Sequence, residues 1–346
     1  MLVVNARFLT QDLTGVQRFA IEISKELKKY NTKVVFVAPH NIKDKILAEY
    51  LDVQVIGNST GHLWEQVELP LYLKRKCANA TLINFCNTAP ILYCNKVSTV
   101  HDIAFIKWSK SFSKSFSMFY KFLIPLIIKS SKRLVTVSEF SKTEIERYYK
   151  LSSSPFIVIH NAVDDSFKGY TSNYKKDNYI LAVSSLNSQK NFEGLLNAFH
   201  LTNDNTLKLK IVGSRNQAFS NSVFTDKDFN DRIEFLGRVS DEELKELYSN
   251  AKCFVYPSFY EGFGIPPLEA QSCLCPVIVS DAASLPEVCK DSVLYCDPYD
   301  PIDIAAKIDL VCSDYALTRR LIDSGIKNIE RFSWEKSALA YMNLID

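Results

Sequence analysis

The sequence predicts an α/β protein made of two Rossmann-like domains, each built around a parallel sheet. The first observation is length, because 346 residues exceed what one hydrophobic core usually organises. The second is alternation: short β-branched runs are separated by helical stretches, as in parallel sheets covered on both faces. The third is a polar stretch, residues 164–178, which divides the alternation into two series and indicates a linker. We expect a first domain of residues 1–165, a second domain of residues 166–330 and a final segment of residues 331–346.

The predicted strands fall on both sides of the polar stretch. The first series comprises residues 3–9, 33–38, 53–56, 81–85, 97–101, 134–138 and 156–160. The second series comprises residues 179–184, 207–212, 233–236, 253–256, 276–280 and 293–296. The stretch after the first strand predicts an amphipathic helix, because Val16, Phe19, Ala20, Ile23 and Leu27 recur at helical spacing.

The composition excludes several classes of protein. Lys and Arg number 41 against 39 Asp and Glu, so the net charge says little about partners, and we expect no nucleic-acid partner. The nine Cys are scattered without a C-x-x-C pair, which favours reduced thiols over disulfides or zinc. The start lacks a secretory pattern, and the longest apolar run, residues 122–128, is far shorter than the roughly 20 residues that cross a bilayer. A cytoplasmic protein, soluble or peripheral to a membrane, is therefore expected, and the oligomeric state stays open.

The strongest motif is YEGFGIPPLEA at residues 260–270, directly after the predicted strand 253–256. Gly262 and Gly264 allow backbone geometry and a close ligand approach that a side chain would block. Pro266 suits the first turn of a helix, and backbone N–H groups at a helix start can face an anion. The motif therefore predicts a loop and helix start that bind a phosphate-containing ligand.

Glu261 and Glu269, with seven residues between them, resemble the signature of the retaining glycosyltransferase family GT4. The resemblance implies the GT-B fold, in which two Rossmann-like domains face each other across a cleft that binds a nucleotide diphosphate-sugar. It implies that Glu261 contacts the transferred sugar near its anomeric centre and that Glu269 binds the ribose hydroxyls. Phe263, Gly264 and Ile265 would line the sugar and phosphate pocket.

A second phosphate-binding element of the family resembles residues 186–191. Lys190 would bind the diphosphate and stabilise it as a leaving group, although a solvated lysine at a helix start is the alternative. Arg238 and Val239 stand where the family loop meets the base. Arg215 or Arg238 could supply the cation that many family members carry five residues before the lysine, where this chain has Ser185.

Family elements also occur in the first domain. Gly15 and Val16 resemble a small glycine loop that contacts the donor phosphates. His101 resembles the histidine of a His-Asp element that hydrogen-bonds the donor sugar, although a structural histidine at a strand end is the alternative. Residues 64–66, WEQ, match as well, and the last helix is implied to cross back to the first domain.

Two departures from the family pattern concern glycines. Leu274 stands where the family usually has Gly, which places local packing in doubt. Ala162 replaces Gly in a hinge-side motif at residues 160–164, which we interpret as structural.

Together the motifs most resemble mannosyl- and rhamnosyl-type enzymes of bacterial surface polysaccharide assembly. The expected reaction moves a hexose, mannose-like by preference, from a GDP-sugar to a glycan or lipid-linked acceptor; UDP- or dTDP-sugars are alternatives. A nucleotide-sugar epimerase or hydrolase, or a non-catalytic nucleotide-sugar-binding protein, remains open. No cofactor is expected, because a dinucleotide-binding G-x-G-x-x-G is absent, and no metal, because the DKD at residues 226–228 lies in a polar loop.

Residues 107–133 interleave lysines with aromatic and aliphatic side chains. The lysines are Lys107, Lys110, Lys114, Lys121, Lys129 and Lys132. Such a stretch is typical of an amphipathic helix that lies on anionic lipid. A core helix whose lysines extend to solvent fits equally well. The sequence therefore leaves membrane contact as one of two hypotheses.

Overall fold

The computed structural model describes residues 1–30, 33–168, 176–183, 188–213 and 231–345. Within these residues the chain forms two all-parallel sheets of seven and six strands with helices between the strands, which confirms the predicted α/β class. Ser185, Arg215 and residues 226–228 lie outside the described residues, as do residues 169–175 of the predicted linker.

The first sheet has the strand order β3-β2-β1-β4-β5-β6-β7. Its strands are β1 (Leu2–Asn5), β2 (Val34–Ala38), β3 (Gln54–Val55), β4 (Thr81–Asn84), β5 (Lys96–Thr99), β6 (Arg133–Thr136) and β7 (Phe156–Val158). Every predicted strand of the first series overlaps one of them, and β1, β5 and β6 begin one residue earlier than predicted. The predicted strand 3–9 is too long, because the Asn5 side chain accepts the Arg7 N–H and begins a 3-10 helix, Ala6–Thr10.

The second sheet has the strand order β10-β9-β8-β11-β12-β13. Its strands are β8 (Tyr179–Val183), β9 (Lys208–Val212), β10 (Ile233–Gly237), β11 (Cys253–Tyr256), β12 (Val277–Ser280) and β13 (Leu294–Cys296). All six lie within one residue of their predicted positions. The strands β8, β11 and β12 are buried nearly throughout, as expected of a parallel sheet between helices, whereas β10 and β13 at the edges of the sheet are partly exposed.

Helices connect the strands in both sheets. They are α1 (Gly15–Tyr30), α2 (Lys45–Tyr50), α3 (Gly61–Leu63), α4 (Leu69–Lys76), α5 (Ala104–Lys107), α6 (Lys114–Ser130), α7 (Glu139–Tyr149), α8 (Phe192–His200), α9 (Asp241–Asn250), α10 (Ile265–Ser272), α11 (Leu285–Cys289), α12 (Pro301–Ser313), α13 (Tyr315–Ile329) and α14 (Trp334–Asn343). A π-helical turn, Trp64–Glu68, joins α3 to α4. The predicted amphipathic face of α1 is confirmed: Phe19, Ala20, Ile23 and Leu27 are buried.

The chain divides into two compact units. One contains Met1–Lys107, Phe112–Asn161 and Ser333–Asp346, and the other contains Trp108–Ser111 and Ala162–Phe332. The sequence-based boundaries fall at residues 165 and 330, within a few residues of these divisions. The last helix, α14, belongs to the first unit.

Helix α14 contributes aromatic side chains to the core of the first unit. The Tyr341 hydroxyl lies 2.6 Å from Thr99 Oγ1, and its ring meets Phe85 edge-on at 5.2 Å. The ring of Trp334 meets Phe19 of α1 at 5.8 Å. The return of the final helix therefore completes a core that the N-terminal residues begin.

Each strand order contains a point at which the chain changes direction across the sheet. In the first sheet this point lies between β1 and β4, and in the second between β8 and β11. Connections on either side of such a point leave the sheet in opposite directions, which opens a crevice at the carboxyl ends of the two strands where ligands bind. Residues directly after β1, β4, β8 and β11 are therefore placed to meet ligands.

No helix among the described residues has both the length and the apolar character needed to cross a bilayer.

Candidate functional site

The residues that follow β8 and β11 meet in an ion pair. Lys190 Nζ donates to Glu261 Oε1 at 2.5 Å and to the Tyr256 hydroxyl at 3.0 Å. Both charged side chains are largely buried, with 14% and 10% of their surface exposed. The pair thus lies at the switch point of the second sheet, where the strand order predicts a ligand.

Local backbone geometry holds Lys190 in this position. Lys190 ends a 3-10 turn, Ser188–Lys190, and Asn191 follows in the left-handed region with φ of +54°. The Asn191 side chain caps α8 by accepting the Gly194 N–H, and it donates to the Pro298 carbonyl at 2.6 Å. The Gln189 carbonyl accepts the Phe259 N–H at 2.9 Å, which ties this turn to the loop after β11.

The loop that carries Glu261 depends on one glycine and one serine. Gly264 has φ of +95°, and a Cβ there would lie 2.7 Å from Leu285 Cδ2, so conformation and space both require glycine. Gly262 does not have a positive φ. Of the two glycines in the motif, Gly264 is therefore the one that the backbone conformation requires. Ser284 Oγ lies 3.0 Å from the Glu261 carbonyl and 2.8 Å from the Phe263 carbonyl and fastens the loop.

Helix α10 begins directly after Gly264, with Pro266 in its first turn as expected. Because Pro266 and Pro267 have no N–H, the first turn can offer an anion the N–H groups of Gly264 and Ile265 only. The anion-binding capacity of this helix start is thus smaller than the motif alone implies. Lys190 supplies the positive charge that the missing donors do not.

Glu269 lies one helical turn further along α10 and is buried. Its Oε2 accepts a hydrogen bond from the Tyr248 hydroxyl of α9 at 3.3 Å. Burial, reinforced by the Glu269 carboxylate, raises the pKa of Tyr248 well above its usual range, so Tyr248 stays a neutral donor. Tyr248 therefore fixes the orientation of one carboxylate oxygen.

The ion pair determines the charge state of the site. Burial disfavours the charge on Lys190, but the Glu261 carboxylate and the Tyr256 hydroxyl outweigh burial and raise the pKa of Lys190 above its usual value. Burial and the Glu261 carboxylate also raise the pKa of Tyr256. Lys190 is therefore an ammonium at any physiological pH and can attract a phosphate.

The remaining candidates of the second unit lie beside β10. Gly237 ends the strand with φ of +72°, and its carbonyl accepts the Gly213 N–H at 2.8 Å. Arg238 is exposed and Val239 half-buried directly after it. Both residues thus follow the carboxyl end of a strand, the edge at which a nucleotide would bind.

In the first unit, His101 follows β5 and is buried. Its Nε2 lies 2.7 Å from the Phe85 carbonyl, which can only accept, so Nε2 carries the proton and Nδ1 is an acceptor. Burial lowers the pKa of His101 to about 4, although the Phe85 carbonyl favours the charged form. The ring is neutral at physiological pH, and its main-chain N–H donates to Asn87 Oδ1 at 2.7 Å.

Gly15 and Val16 begin α1 after the switch point of the first sheet. Gly15 is exposed and does not have a positive φ, so the backbone conformation at this position does not require glycine. Val16 is half-buried, and its carbonyl lies 3.9 Å from Cys86 Sγ.

The sequence did not single out Tyr256, Tyr248 or Ser284, which orient the candidate site residues. Tyr256 had one available signal: it is the last residue of β11, at the edge where ligands bind. Tyr248 lies on α9, and no local pattern distinguishes it from core residues. Ser284 begins the stretch SLPEV, residues 284–288, which resembles the family, but the resemblance implied no role for this serine. Within the described residues, no cluster of His, Cys, Asp or Glu is arranged to hold a metal ion.

Solved structures share this architecture. The Anabaena protein Alr3699/HepE, solved with UDP and glucose, superposes with a TM-score of 0.73 at 17% identity over 99% of this chain and 98% of its own. WaaG, a glycosyltransferase involved in lipopolysaccharide biosynthesis, superposes with a TM-score of 0.71 at 13% identity over 100% and 99%. The fold is therefore GT-B, the fold of nucleotide-sugar-dependent glycosyltransferases.

Sequence comparison is more specific. Residues 13–167 match the model of Glycosyltransferase Family 4, and residues 164–328 match that of Glycosyl transferases group 1. The O-antigen chain mannosyltransferase B of Escherichia coli is 30% identical over 264 residues, which cover 71% of this chain and 69% of that protein. The chain belongs to the GT4 family of glycosyltransferases.

A further relative is the O-antigen chain mannosyltransferase RfbU of Salmonella typhimurium. It is 36% identical over 215 residues, which cover 62% of this chain and 60% of the Salmonella protein. This match therefore spans less than two thirds of the length of that relative.

Proposed function

We propose that the chain is a retaining glycosyltransferase that moves a mannose-like hexose from a GDP-sugar to a glycan or lipid-linked acceptor in bacterial surface polysaccharide synthesis. The observation that carries the proposal is the buried ion pair of Lys190 and Glu261 at the switch point of the second sheet. Relatives named as O-antigen mannosyltransferases support the choice of sugar and of pathway class.

Lys190 would bind the diphosphate of the donor. Negative charge grows on the diphosphate as it leaves, so a buried ammonium at that place stabilises the transition state more than the ground state. The N–H groups of Gly264 and Ile265 would add two hydrogen bonds. Glu261 must then release Lys190 to the phosphate and is free to turn toward the sugar.

The proposed reaction proceeds on one face of the sugar. The bond between C1 and the phosphate oxygen breaks, and a bond from C1 to the acceptor oxygen forms on the same side. The acceptor proton passes to the departing phosphate oxygen, so the reaction needs no protein base. His101, neutral and with Nδ1 as an acceptor, would bind a donor-sugar hydroxyl, and Glu269, fixed by Tyr248, would bind the ribose hydroxyls.

The location of the reaction is part of the proposal. We propose that the enzyme acts at the cytoplasmic face of the membrane, where a lipid-linked acceptor would be presented, and that α6 contacts the lipid surface. Met118 and Phe122 support this contact, because they are 69% and 71% exposed between lysines of α6.

The donor is tested with nucleotides. GDP, UDP, dTDP and ADP are added separately, and the shift in melting temperature is measured, because a ligand that binds the folded state alone raises it. We expect the largest shift with GDP and the next with UDP. No shift with any of the four would contradict a nucleotide-sugar donor site.

The role of Glu261 is tested by Glu261→Ala with Glu246→Ala, an exposed glutamate of α9, as the matched control. Removal of Glu261 leaves Lys190 without its carboxylate, so we expect nucleoside diphosphate binding to stay equal or tighten. We expect transfer to fall by about 100-fold or more, the size of effect seen when a polar group that stabilises a transition state is removed. Equal transfer by Glu261→Ala and the control would contradict the assignment.

A further inference from the structure

Three apolar side chains lie exposed along the helical segment that runs from α3 through the π-helical turn into α4. Leu63, Val67 and Leu71 recur every four residues, the spacing that places side chains on one face of a helix. They are 63%, 45% and 44% exposed. These three residues are called the apolar stripe below, and the stripe faces solvent in the first unit.

The other side of this segment is fixed in the core of the first unit. Trp64 and Leu69 are fully buried in one core cluster, and Trp64 Nε1 donates to the Ile56 carbonyl at 2.7 Å. The buried carboxylate of Glu65 pairs with Arg7, whose Nε lies 3.2 Å from Oε1. The core contacts therefore determine the orientation of the segment, and the apolar stripe cannot turn inward without breaking them.

Two contacts join the segment to the neighbourhood of α6. The ring of His62 lies against Phe119 of α6, with the ring centroids 4.5 Å apart. The side-chain amide of Gln66 bonds to the loop of residues 89–92, where it accepts the Ile91 N–H at 3.0 Å. The Ile91 side chain packs against the core cluster to which the buried face of α6 belongs. The segment, the loop and α6 are thus neighbours in one unit.

Together the three elements expose several large apolar side chains besides the apolar stripe. Leu92 of the loop is 71% exposed, and Met118, Phe119 and Phe122 of α6 are exposed as well. A monomeric soluble protein rarely exposes a large apolar patch, and such a patch marks contact with a membrane or with another protein. The π-helical turn is a second sign, because π-turns within helices occur frequently at functional sites.

The charges around these side chains select the kind of partner. The three elements contain two acids only, Glu65 and Glu68. Glu65 is buried, and the Glu68 carboxylate accepts the N–H groups of Asn58 and Ser59. The exposed cations of α4 and α6 are Lys74, Arg75, Lys76, Lys114, Lys121 and Lys129. The apolar side chains are therefore accompanied by positive charge, and the partner should carry negative charge.

A second copy of the chain fits these charges poorly. In a twofold dimer the same surface occurs on both subunits, so the cations would face one another without acids to pair with. An anionic bilayer meets both requirements, since its hydrocarbon accepts the apolar side chains and its headgroups attract the cations.

We propose that Leu63, Val67 and Leu71 insert into an anionic lipid surface as a second membrane contact beside α6. The inference rests on the proposed function, which assigns the lipid contact to α6 alone. One helix that lies on a bilayer leaves the protein free to roll about the axis of that helix. A second contact removes this freedom and fixes the orientation of the first unit on the membrane.

The apolar stripe is tested with the triple variant Leu63→Ser, Val67→Ser and Leu71→Ser. The matched control is Ile46→Ser, Tyr50→Ser and Val55→Ser, which removes three exposed apolar side chains elsewhere in the first unit at the same net charge. Binding to vesicles rich in phosphatidylglycerol is measured by co-sedimentation, after urea denaturation has shown that both variants are folded. We expect the stripe variant to bind about 10-fold more weakly or less, and the control to stay within about 2-fold of wild type. Equal binding by the two variants would overturn the proposal.

Insertion is tested by fluorescence, which does not require removal of the apolar stripe. Val67→Trp places an indole in the stripe, and Ile46→Trp places one at an exposed position of α2. With vesicles whose acyl chains carry bromine, we expect stronger quenching of Val67→Trp than of wild type, and no such increase for Ile46→Trp. Equal quenching of both variants would contradict insertion. A lipid-free dimer of the wild type that the stripe variant abolishes would also overturn the proposal and assign the stripe to a second copy of the chain.

The vesicle measurement separates this inference from the proposed function, because it needs neither donor nor acceptor. With a water-soluble acceptor and no lipid, we expect the stripe variant to transfer sugar at the wild-type rate. Lipid binding that depends on the apolar stripe, in a protein that transfers no sugar, would support the membrane contact and count against the enzyme activity. Transfer by a wild type whose lipid binding does not depend on the stripe would support the activity and reject the second contact.

Discussion

Leu274 shows what one position of a motif demands of the backbone. It follows the end of α10 with φ of +56°, in the left-handed region that L-amino acids other than Asn and Asp rarely occupy. The departure from the usual family glycine predicted a local packing effect, but the structure identifies a conformational one. Ala162, the other residue in place of a family glycine, is buried and does not have a positive φ, so the same sequence departure has no backbone cost there.

Two variants measure how much the left-handed backbone conformation at Leu274 lowers the free energy of unfolding. Leu274→Ala removes the side chain and keeps the strained conformation, whereas Leu274→Gly removes both. We expect the glycine variant to exceed the alanine variant in free energy of unfolding by about 1 kcal/mol, measured by urea denaturation. A glycine variant less stable than the alanine variant would mean that the backbone at this position is not strained.

His101 makes the free energy of unfolding depend on pH. Its pKa in the folded protein is about 4, below the usual value of about 6.5. The unfolded chain therefore binds more protons than the folded protein between these values, and stability falls as pH decreases from 6.5 toward 4. Above pH 6.5 both states are neutral at this residue and the contribution is constant.

The variant His101→Gln should lack this dependence. Between pH 7 and pH 5 we expect wild type to lose about 2 kcal/mol more of its free energy of unfolding than the variant. The measurement is urea denaturation at a series of pH values. Parallel stability curves for the two proteins would show that His101 is not the buried neutral group described above.

At the scale of the element, α6 is the helix whose sequence left two hypotheses open. One face is buried through Leu123, Ile124 and Ile127, which join the core beneath the helix. Lys114, Met118, Lys121, Phe122 and Lys129 recur on the other face at helical spacing and are exposed. Hydrophobic periodicity alone could not distinguish a helix that lies on lipid from a core helix whose lysines extend to solvent. Apolar residues occur nearly all the way round α6, so the packing of neighbouring elements determines which side is exposed.

Lipid binding by α6 can be measured with vesicles rich in phosphatidylglycerol. The triple variant Lys114→Glu, Lys121→Glu and Lys129→Glu should bind at least about 100-fold more weakly than wild type, since each lysine near an anionic surface contributes about 1 kcal/mol. The control variant Lys208→Glu, Lys327→Glu and Lys336→Glu has the same net charge and alters exposed lysines elsewhere. Equal loss in both variants would assign the effect to total charge.

At the scale of the whole molecule, the sequence predicted much of the fold and less of the site. Strands such as β8 and β11 are continuous apolar runs bounded by polar residues, a local signal that survives in one sequence. The order in which strands pair is not local, and neither is the contact of Lys190 with Glu261 across 71 positions of the chain. The family motif pointed to these two residues, but only the folded sheet reveals Tyr256 as the third member.

The separate cores of the two units allow a test of which unit binds the nucleotide. GDP should slow amide hydrogen exchange in residues 188–200 and 257–272 and leave the strands β4 and β5 of the first unit near their ligand-free rates. The measurement is amide hydrogen exchange with and without GDP, followed by mass spectrometry. Protection confined to the first unit would reverse the assignment of the donor site.

The return of α14 to the first unit affects how the chain matures during synthesis. The second unit is nearly continuous in sequence, so all of its residues are synthesised before those of α14. The first unit begins earlier but cannot bury Phe19 and Phe85 against Trp334 and Tyr341 until those last residues emerge. The first unit is thus begun before the second unit, but its core can be completed only after the residues of the second unit have been synthesised.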